Sequence, residues 1–415
     1  MKHILLVCYD FPPNKGIGGR RWAKHAKALA RLGHEIHVIK STPAIGYTSN
    51  NWMTDLDLPN IHIHLVDRTY PTAISHHGNG LIASLKYRYF SWKLKQAERG
   101  TIYDVAVGWE NSFSAKAEEI LAESNITHLV ATGAPFNVLY FAAKLKAKHP
   151  YLNFLADYRD PWLTARNYGM ANLTPARMQA EVSKQRVVFE RADFITCTNS
   201  SMMEEITSSD PDFEPKGKLK VIPHCYDLDD IPSHLDDSNT SEPGKINLVY
   251  GGALYLGLEP FVTGWVNELL KIKNDTPEEY KRLKISIFTP DLQYAHLFEP
   301  VKDCVELRPP IGKDLFKKIA IADGILMLLA AHNKDNFTTK FAESLPFKKP
   351  IIFVGASGAA SDFVVKHDLG VIAKEYGWAK LISDFPKYTS SPEKEALLQT
   401  HSLNEVGKLL NELLA

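Results

Sequence analysis

The chain has 415 residues, and because one hydrophobic core seldom grows beyond about 250–300 residues, we expect two domains. Its 48 Lys and Arg balance its 48 Asp and Glu, so no overall electrostatic field predicts nucleic acid as a partner. Residues 1–100, however, contain 14 Lys and Arg against 6 Asp and Glu, which predicts a basic surface near the N-terminus.

The opening run MKHILLVCYD stops at Asp10 before a Pro-Pro pair, and this predicts a buried first strand rather than a signal peptide. No apolar run reaches the length of a transmembrane helix. Widely spaced cysteines without a metal-binding pattern suit a reducing cytoplasm: Cys8, Cys197, Cys225 and Cys304. We therefore expect a cytoplasmic chain that is soluble or bound at the inner face of the membrane.

Short apolar runs alternate with helical patterns, as in a parallel, doubly wound α/β sheet. The first domain (1–230) contains HILLV (3–7), EIHVI (35–39), IHIHLV (61–66), DVAVG (104–108), THLVA (127–131), NFLAD (153–157), FITCT (194–198) and KVIP (220–223). A polar stretch rich in Asp, Ser and Pro then predicts a linker at 231–245. The second domain (246–395) contains INLVYGG (246–252), LKISIF (283–288), CVEL (304–307), GILMLLA (324–330), PIIFVG (350–355) and LGVIA (369–373), and a helical segment closes the chain at 396–415.

The first loop, YDFPPNKGIGGRR (9–21), follows a predicted strand and precedes a helix. Gly18 and Gly19 let the backbone approach a ligand there, and the start of the helix offers free N–H groups. The spacing matches neither the GxGxxG nor the Walker pattern, so a plain tight turn is the alternative. One face of the helix carries a basic stripe, which is usually a solvated surface: Arg20, Lys24, Lys27 and Arg31.

The stretch SLKYRYFSWKLK (84–95) alternates Lys and Arg with Tyr, Phe and Trp. Aromatic and basic residues together suit contact with anionic lipid headgroups, which predicts an anionic membrane surface as a partner. The same pattern also suits a helix that packs on its own domain while its lysine ammonium groups reach water. Both interpretations stay open at this point.

Two further segments carry candidate chemistry. LADYRDPW (155–162) places Asp157, Arg159 and Asp160 at the end of a predicted strand, where ligands of open α/β sheets bind. The alternative is that Arg159 pairs with the two carboxylates and braces a loop. KFAESLPFKKPIIFVG (340–355) places Lys340 and Glu343 one helical turn apart, a pair that on its own is often only a surface ion pair.

Taken together and in this order, the segments resemble the family 4 glycosyltransferases, which have the GT-B fold. The opening strand, the YDFPPNKGIGG loop and RLGHEIHVI resemble the N-terminal signature of that family, and DYRDPW resembles a motif of one bacterial branch. TNSSMMEEI (198–206) and VIPHCYD (221–227) are similar to the segments before the linker, although His224-Cys225 replaces the usual Asn-Gly. LVYGGALY (248–255) and KFAESLPFKKPII are similar to the donor-site loop and helix.

The resemblance implies two Rossmann-like domains facing a central cleft, the N-terminal one for a glycan or lipid-linked acceptor and the C-terminal one for a nucleotide diphosphate sugar. It implies a retaining, metal-independent sugar transfer in surface polysaccharide or glycolipid synthesis, with no cofactor and with a closing helix that returns to the first domain. The implied catalytic residues are Asp157, Arg159, Asp160 and Lys340. The implied donor-binding residues are Gly251, Gly252, Thr289, Arg308, Ile311, Asp335, Lys340, Phe341 and Glu343, and the acceptor or phosphate loop contributes Gly18, Gly19, Arg20 and Arg21.

Two departures from the family pattern keep other functions open. Asp335 stands where a second glutamate is usual, and GGALYLGLEPF (251–261) lacks the Arg and Lys that many donor loops carry. A catalytically silent protein that binds a nucleotide sugar as a partner or regulator is one alternative, because phosphate neutralisation must then come from elsewhere. A nucleotide-sugar epimerase of the same fold is the other.

Overall fold

The structure is a computed structural model that describes the chain except residues 44–45, 47, 50–51, 76–77, 98–103, 166–167, 169, 171–172, 213–214, 216, 233–242 and 255–256, and except the side chains of residues 97 and 333. It divides into one compact unit of Met1–Pro223 with Val406–Ala415 and another of His224–Glu405. The division thus lies after Pro223 rather than at residue 230, and the C-terminal segment groups with the first unit from Val406 rather than from residue 396. Most of the predicted linker lies outside the described residues.

Within the described part of the first unit, seven parallel strands form one sheet in the order β3-β2-β1-β4-β5-β6-β7. The strands are β1 (His3–Val7), β2 (Glu35–Ser41), β3 (Ile61–Val66), β4 (His128–Gly133), β5 (Asn153–Tyr158), β6 (Phe194–Cys197) and β7 (Leu219–Val221). Every residue of β1 after His3 is buried. Because neighbouring side chains of a strand point to opposite faces, both faces of the sheet are covered at β1, as parallel sheets require.

The helices of the first unit are α1 (Ile17–Arg31), α2 (Thr72–Ser75), α3 (Leu81–Ala97), α4 (Glu110–Glu123), α5 (Asn137–Lys148), α6 (Pro175–Arg191) and α7 (Ser200–Ser208). α7 begins where the Asn199 side chain accepts a hydrogen bond from the Met202 amide at 2.8 Å. Two members of the basic stripe of α1 do not lie on a solvated surface. Lys24 and Lys27 are buried, and their ammonium groups bind the buried Asp55 carboxylate at 2.9 and 3.1 Å.

Six parallel strands form the sheet of the second unit, in the order β10-β9-β8-β11-β12-β13 for the residues the structure describes. They are β8 (Ile246–Gly251), β9 (Leu283–Phe288), β10 (Val305–Arg308), β11 (Gly324–Leu329), β12 (Ile351–Gly355) and β13 (Gly370–Ile372). In both sheets the chain first adds strands on one side of its first strand (β1 or β8) and then adds the remaining strands on the other side. This is the doubly wound, Rossmann-like order. The predicted α/β fold class is confirmed.

The helices that follow these strands are α8 (Glu259–Asp275), α9 (Pro277–Tyr280), α10 (Ala295–Phe298), α11 (Asp314–Ile321), α12 (Thr339–Ser344), α13 (Ala359–Lys366), α14 (Ala373–Tyr376), α15 (Trp378–Ser383) and α16 (Pro392–Gln399). The last helix, α17 (Leu403–Leu413), packs closely on α1. A Cβ atom on Gly407 would lie 2.8 Å from the Cβ of Ala28, so glycine allows this approach. Among the described helices, none is both long and apolar enough to cross a bilayer.

One strand prediction is wrong. Residues 104–108 (DVAVG) form turns rather than a strand. The Asp104 carboxylate is buried and accepts hydrogen bonds from the amides of Ala106 and Asn137, both at 2.9 Å. An aspartate that binds nearby amides in this way favours a turn over extended pairing.

Candidate functional site

Neighbouring side chains pack closely against the glycine pair at the end of β8. β8 ends at Gly251, and Gly252 follows with φ of +149°, which disfavours any side chain. A Cβ atom on Gly252 would lie 2.0 Å from Cε and Nζ of Lys340, and one on Gly251 would lie 2.1 Å from a methyl group of Leu315. The Lys340 side chain therefore lies directly on the backbone of the loop. It can do so because residue 252 is a glycine.

Lys340 lies in the first turn of α12, which begins where Thr338 Oγ1 accepts a hydrogen bond from the Phe341 amide at 3.3 Å. Its Nζ donates to the Tyr250 hydroxyl at 3.0 Å. Burial lowers the pKa of Lys340 to about 8, because desolvation disfavours the ammonium, while the carboxylates of Glu343 and Asp291 act in the opposite direction. A partly dehydrated cation is thus available at the carboxyl end of β8.

Glu343 lies one turn after Lys340 and lines the same small cavity, which has a volume of about 30 Å³. This volume is that of a water site rather than a nucleotide site. The cavity wall combines polar groups and apolar side chains: Tyr250, Gly251, Leu315, Met327, Lys340 and Glu343.

Asp291 is a site residue that the sequence interpretation missed. It follows β9, and its carboxylate accepts a hydrogen bond from the Leu254 amide at 2.7 Å, which fixes the loop after Gly252. The hydroxyl of Thr289 in turn accepts from the Asp291 amide at 3.1 Å, and the Thr289 amide donates to the Arg308 carbonyl at 2.8 Å. The short TPD sequence after a buried strand is the signal that marks this group.

The other predicted donor residues have contacts of their own. Arg308 is exposed and pairs with Glu306 at 2.5 Å. The Asp335 carboxylate accepts from the Ala359 amide at 2.9 Å and so fixes the start of α13. Phe341 is buried in an aromatic core with Phe337 and Phe363. Ile311 is half-buried in the loop after β10.

In the first unit, Asp157 occupies a fully buried position in β5 rather than an exposed one. Its two carboxylate oxygens accept from Trp22 Nε1 at 2.6 Å, from the Thr132 hydroxyl at 2.9 Å and from the Thr196 hydroxyl at 2.8 Å. Arg21 Nη2 lies 3.5 Å away. A carboxylate with this many donors supports the packing of α1 on the sheet and is closed to solvent.

Arg159 and Asp160 form the accessible part of the DYRDPW segment. Arg159 Nε donates to Asp160 Oδ2 at 2.7 Å, and Nη2 also donates to the Tyr168 hydroxyl. That hydroxyl donates to the same carboxylate oxygen at 3.2 Å. Arg159 also lies over the glycine loop, since a Cβ on Gly18 would be 1.8 Å from its Nη1. Of the structural alternative, the bracing of the loop and the pair with Asp160 are observed, whereas Asp157 pairs with Arg21 instead of Arg159.

The remaining loop residues have structural contacts. A Cβ on Gly19 would lie 1.9 Å from the Asp10 carbonyl oxygen, so only glycine lets α1 start this close to the loop. Arg20 stacks on the Trp52 ring at 3.5 Å. Arg21 is buried and donates to the carbonyls of Ile222 at 2.8 Å and Pro223 at 3.0 Å.

No protein-family model and no curated protein sequence matches the chain. Solved structures do match it over its whole length. A sucrose-phosphate synthase from Thermosynechococcus elongatus matches with a TM-score of 0.63 and 12% identity, over 100% of this chain and 98% of that one. WaaG, a glycosyltransferase involved in lipopolysaccharide biosynthesis, matches with a TM-score of 0.57 and 13% identity, over 99% of both chains. This chain has the GT-B fold.

A third GT-B structure, described as trehalose-6-phosphate from E. coli bound with UDP-2-fluoro glucose, matches with a TM-score of 0.62 and 12% identity over 100% of this chain and 99% of that one. At these identities the likeness shows the fold alone. The residues around Lys340 lie at the carboxyl end of β8, and Arg159 lies over the loop that follows β1. β1 and β8 are the strands at which the strand order of the two sheets reverses. Open α/β sheets bind ligands at that position.

Proposed function

We propose that this chain is a retaining, metal-independent glycosyltransferase of the family 4 type, which moves a sugar from a nucleotide diphosphate sugar to a glycan or lipid-linked acceptor. Its proposed role is in the synthesis of a surface polysaccharide or glycolipid. One observation carries the proposal: the Lys340 side chain lies on the Gly252 backbone with Glu343 on the same helix face.

Lys340 would stabilise the departing diphosphate. Sugar transfer leaves negative charge on the nucleotide diphosphate, and a cation placed beforehand at that position lowers the barrier. The loop 251–261 contains no Arg or Lys, so Lys340 would supply the positive charge that other donor loops carry themselves. Gly252 leaves room for the Lys340 side chain against the loop, which would place its ammonium group beside the phosphates.

Glu343 would bind the nucleotide ribose. A carboxylate accepts two hydroxyl hydrogen bonds well, and Glu343 lies one helical turn from the cation that would hold the diphosphate. Thr289 and Asp291 would hold the neighbouring loop in shape, and Arg308 at the end of β10 and Ile311 in the loop after it would lie near the base.

Arg159 and Asp160 would orient the acceptor, with Asp157 as the buried support of their strand. In a retaining transfer, the acceptor hydroxyl and the sugar must be held in one geometry, and positioning supplies much of the rate. The ion pair between Arg159 and Asp160 offers both a donor and an acceptor for sugar hydroxyl groups.

The test is release of nucleotide diphosphate from a panel of nucleotide sugars, with UDP-glucose first because a structurally similar protein is bound with UDP-2-fluoro glucose. An extract of lipid-linked glycans serves as the acceptor source. We expect release with at least one donor, and we expect Glu343→Ala to reduce it about 100-fold or more while the fold stays intact. Glu375→Gln, an exposed carboxylate in α14, is the matched control.

A catalytically silent, nucleotide-sugar-binding protein is the second candidate, and the absence of Arg and Lys from the 251–261 sequence favours it. Binding of a nucleotide sugar without release by any acceptor would support this candidate over the first. Interconversion of the sugar without transfer would support an epimerase.

A further inference from the structure

Helix α3 exposes a continuous apolar stripe. Five large apolar side chains of this helix are between 56% and 85% exposed: Leu81, Ile82, Leu85, Tyr89 and Trp92. At about 100° per residue, these positions fall within an arc of about 100° on one side of the helix. Single exposed apolar residues are ordinary, but a stripe along a whole helix is typical of a surface that another phase or partner covers.

The opposite side of α3 is the one that packs on the first unit. Ser91 and Leu94 are buried, and Ala83, Tyr87 and Phe90 are half-buried. On a helical projection, these residues lie about 180° from the centre of the exposed stripe. The helix therefore already uses one apolar face for its own domain, and the second apolar face is additional to what folding needs.

Basic residues border the exposed stripe on both sides. Lys86 and Lys93 lie along one border, and Arg88 and Lys95 lie along the other, all of them exposed. Among residues 81–96 there is no Asp or Glu. The stripe is thus an apolar surface inside a frame of positive charge.

We propose that α3 is a docking surface for an anionic phospholipid membrane, on which the helix lies parallel to the bilayer plane. The charge pattern favours this occupant, because Lys and Arg side chains beside the stripe can reach lipid phosphates while the stripe enters the acyl boundary. Tyr89 and Trp92 are residue types that concentrate at the membrane interface. A binding groove on a protein partner would instead need acidic residues along both borders of one helix.

This proposal is independent of the proposed function, because it concerns a surface that contains none of the donor or acceptor residues. The experiment measures flotation of the full chain with vesicles of phosphatidylcholine alone and with about a third phosphatidylglycerol. We expect binding to the anionic vesicles only, and weaker binding as salt rises. Hydrogen exchange should show protection of residues 81–95 on those vesicles.

Three variants separate the contributions. Leu85→Ser with Trp92→Ser removes the centre of the stripe, and we expect the partition coefficient to fall about tenfold or more. A second variant removes the basic residues that border the stripe: Lys86→Ser, Arg88→Ser, Lys93→Ser and Lys95→Ser. It should lower binding by a similar factor and abolish the salt dependence of binding. The control variant removes the same charge from exposed sites of the second unit: Lys271→Ser, Lys366→Ser, Lys374→Ser and Lys387→Ser. It should leave vesicle binding unchanged.

All substituted side chains of α3 are exposed, so the variants should fold, and circular dichroism checks this. Absence of vesicle binding by the wild-type chain would overturn the proposal, and so would equal loss in the control variant. Sedimentation of the vesicle-free chain tests self-association. A dimer that the Leu85→Ser, Trp92→Ser variant loses, with no vesicle binding, would assign the stripe to a second copy of the chain and contradict the proposal.

Discussion

The ammonium nitrogen of Lys340 donates a hydrogen bond to the hydroxyl of Tyr250 at 3.0 Å, and it lies 5.1 Å from the centre of the same ring. Tyr250 stands one residue before the glycine pair that ends β8. This contact holds the lysine against the loop before any ligand arrives. The proposed phosphate-binding cation is therefore already in place in the free protein, which is the arrangement that electrostatic catalysis requires.

The lowered pKa of Lys340 predicts proton uptake when a diphosphate binds. In the free chain the ammonium loses its proton near pH 8, and a bound anion favours the charged form and raises that pKa. Between pH 8 and 9 we therefore expect UDP binding to take up a fraction of a proton and to weaken as the pH rises. Calorimetry in two buffers of different ionisation enthalpy measures this uptake, and Lys340→Met should abolish it. Proton release in the wild-type chain would contradict the assignment.

Substitution at Gly252 should affect nucleotide binding more than folding. Its φ of +149° disfavours alanine, and the new Cβ would displace the Lys340 side chain. We expect Gly252→Ala to weaken UDP binding about tenfold or more and to destabilise the chain by about 1–3 kcal/mol. Gly264→Ala in α8 is the control, since no atom lies within 4 Å of its added Cβ. That variant should keep full binding and gain up to about 1 kcal/mol.

Asp157→Asn should act on stability rather than on chemistry. The carboxylate accepts from Trp22, Thr132 and Thr196 in a buried position, and an amide would turn a donor toward one of these donors. We expect a loss of about 2–4 kcal/mol in the free energy of unfolding, measured by chemical denaturation. Folded Asp157→Asn protein should retain UDP binding. Unchanged stability combined with lost transfer would return Asp157 to the catalytic residues.

Acid should destabilise the first unit through His37. Burial first, and then the neighbouring charges of His62 and His64, lower the pKa of this histidine to about 4, whereas Glu35 acts in the opposite direction. The unfolded ring titrates near 6.5, so between pH 6.5 and 4 the unfolded chain binds more protons and stability falls as the pH falls.

His37→Gln should remove that part of the pH dependence. After allowance for solvent screening of a half-exposed ring, we expect the wild-type chain to lose about 1 kcal/mol more than the variant between pH 7 and pH 4. Hydrogen exchange in β2 and β3 at the two pH values provides the measurement. If the wild-type chain and His37→Gln lose the same free energy of unfolding between pH 7 and pH 4, His37 takes up its proton in the folded chain as readily as in the unfolded one, which would contradict the prediction.

Much of the fold was predictable because parallel strands buried on both faces appear as continuous apolar runs, and the runs of β1, β4 and β11 are of this kind. The turn at 104–108 was not, because the apolar spacing of DVAVG suits a strand equally well. What decides the structure there is the reach of the Asp104 carboxylate to the Asn137 amide, a contact across distant sequence positions.

In the candidate site, too, the features with a local sequence pattern were predictable, and those that depend on contacts between distant residues were not. The glycine pair and Lys340 were singled out from the sequence, and the structure brings them together, since the Lys340 side chain lies on the Gly252 backbone. The roles of Asp157 and Phe341 could not, because a motif does not state which of its members points inward. Asp291 was missed since a single aspartate after a strand is common, and its 2.7 Å contact with the Leu254 amide is visible only in the structure.

Equilibrium binding of UDP, ADP and GDP to the wild-type chain, Lys340→Met and Lys366→Met tests the central claim most directly. Lys366 is an exposed lysine of α13 and serves as the control for loss of charge. We predict that the wild-type chain and Lys366→Met bind one of the three nucleotides equally well, and that Lys340→Met binds it about 30- to 100-fold more weakly, as expected for a lost charged hydrogen bond of about 2–3 kcal/mol. Equal binding by Lys340→Met, or no binding of any nucleotide by the wild-type chain, would contradict the account.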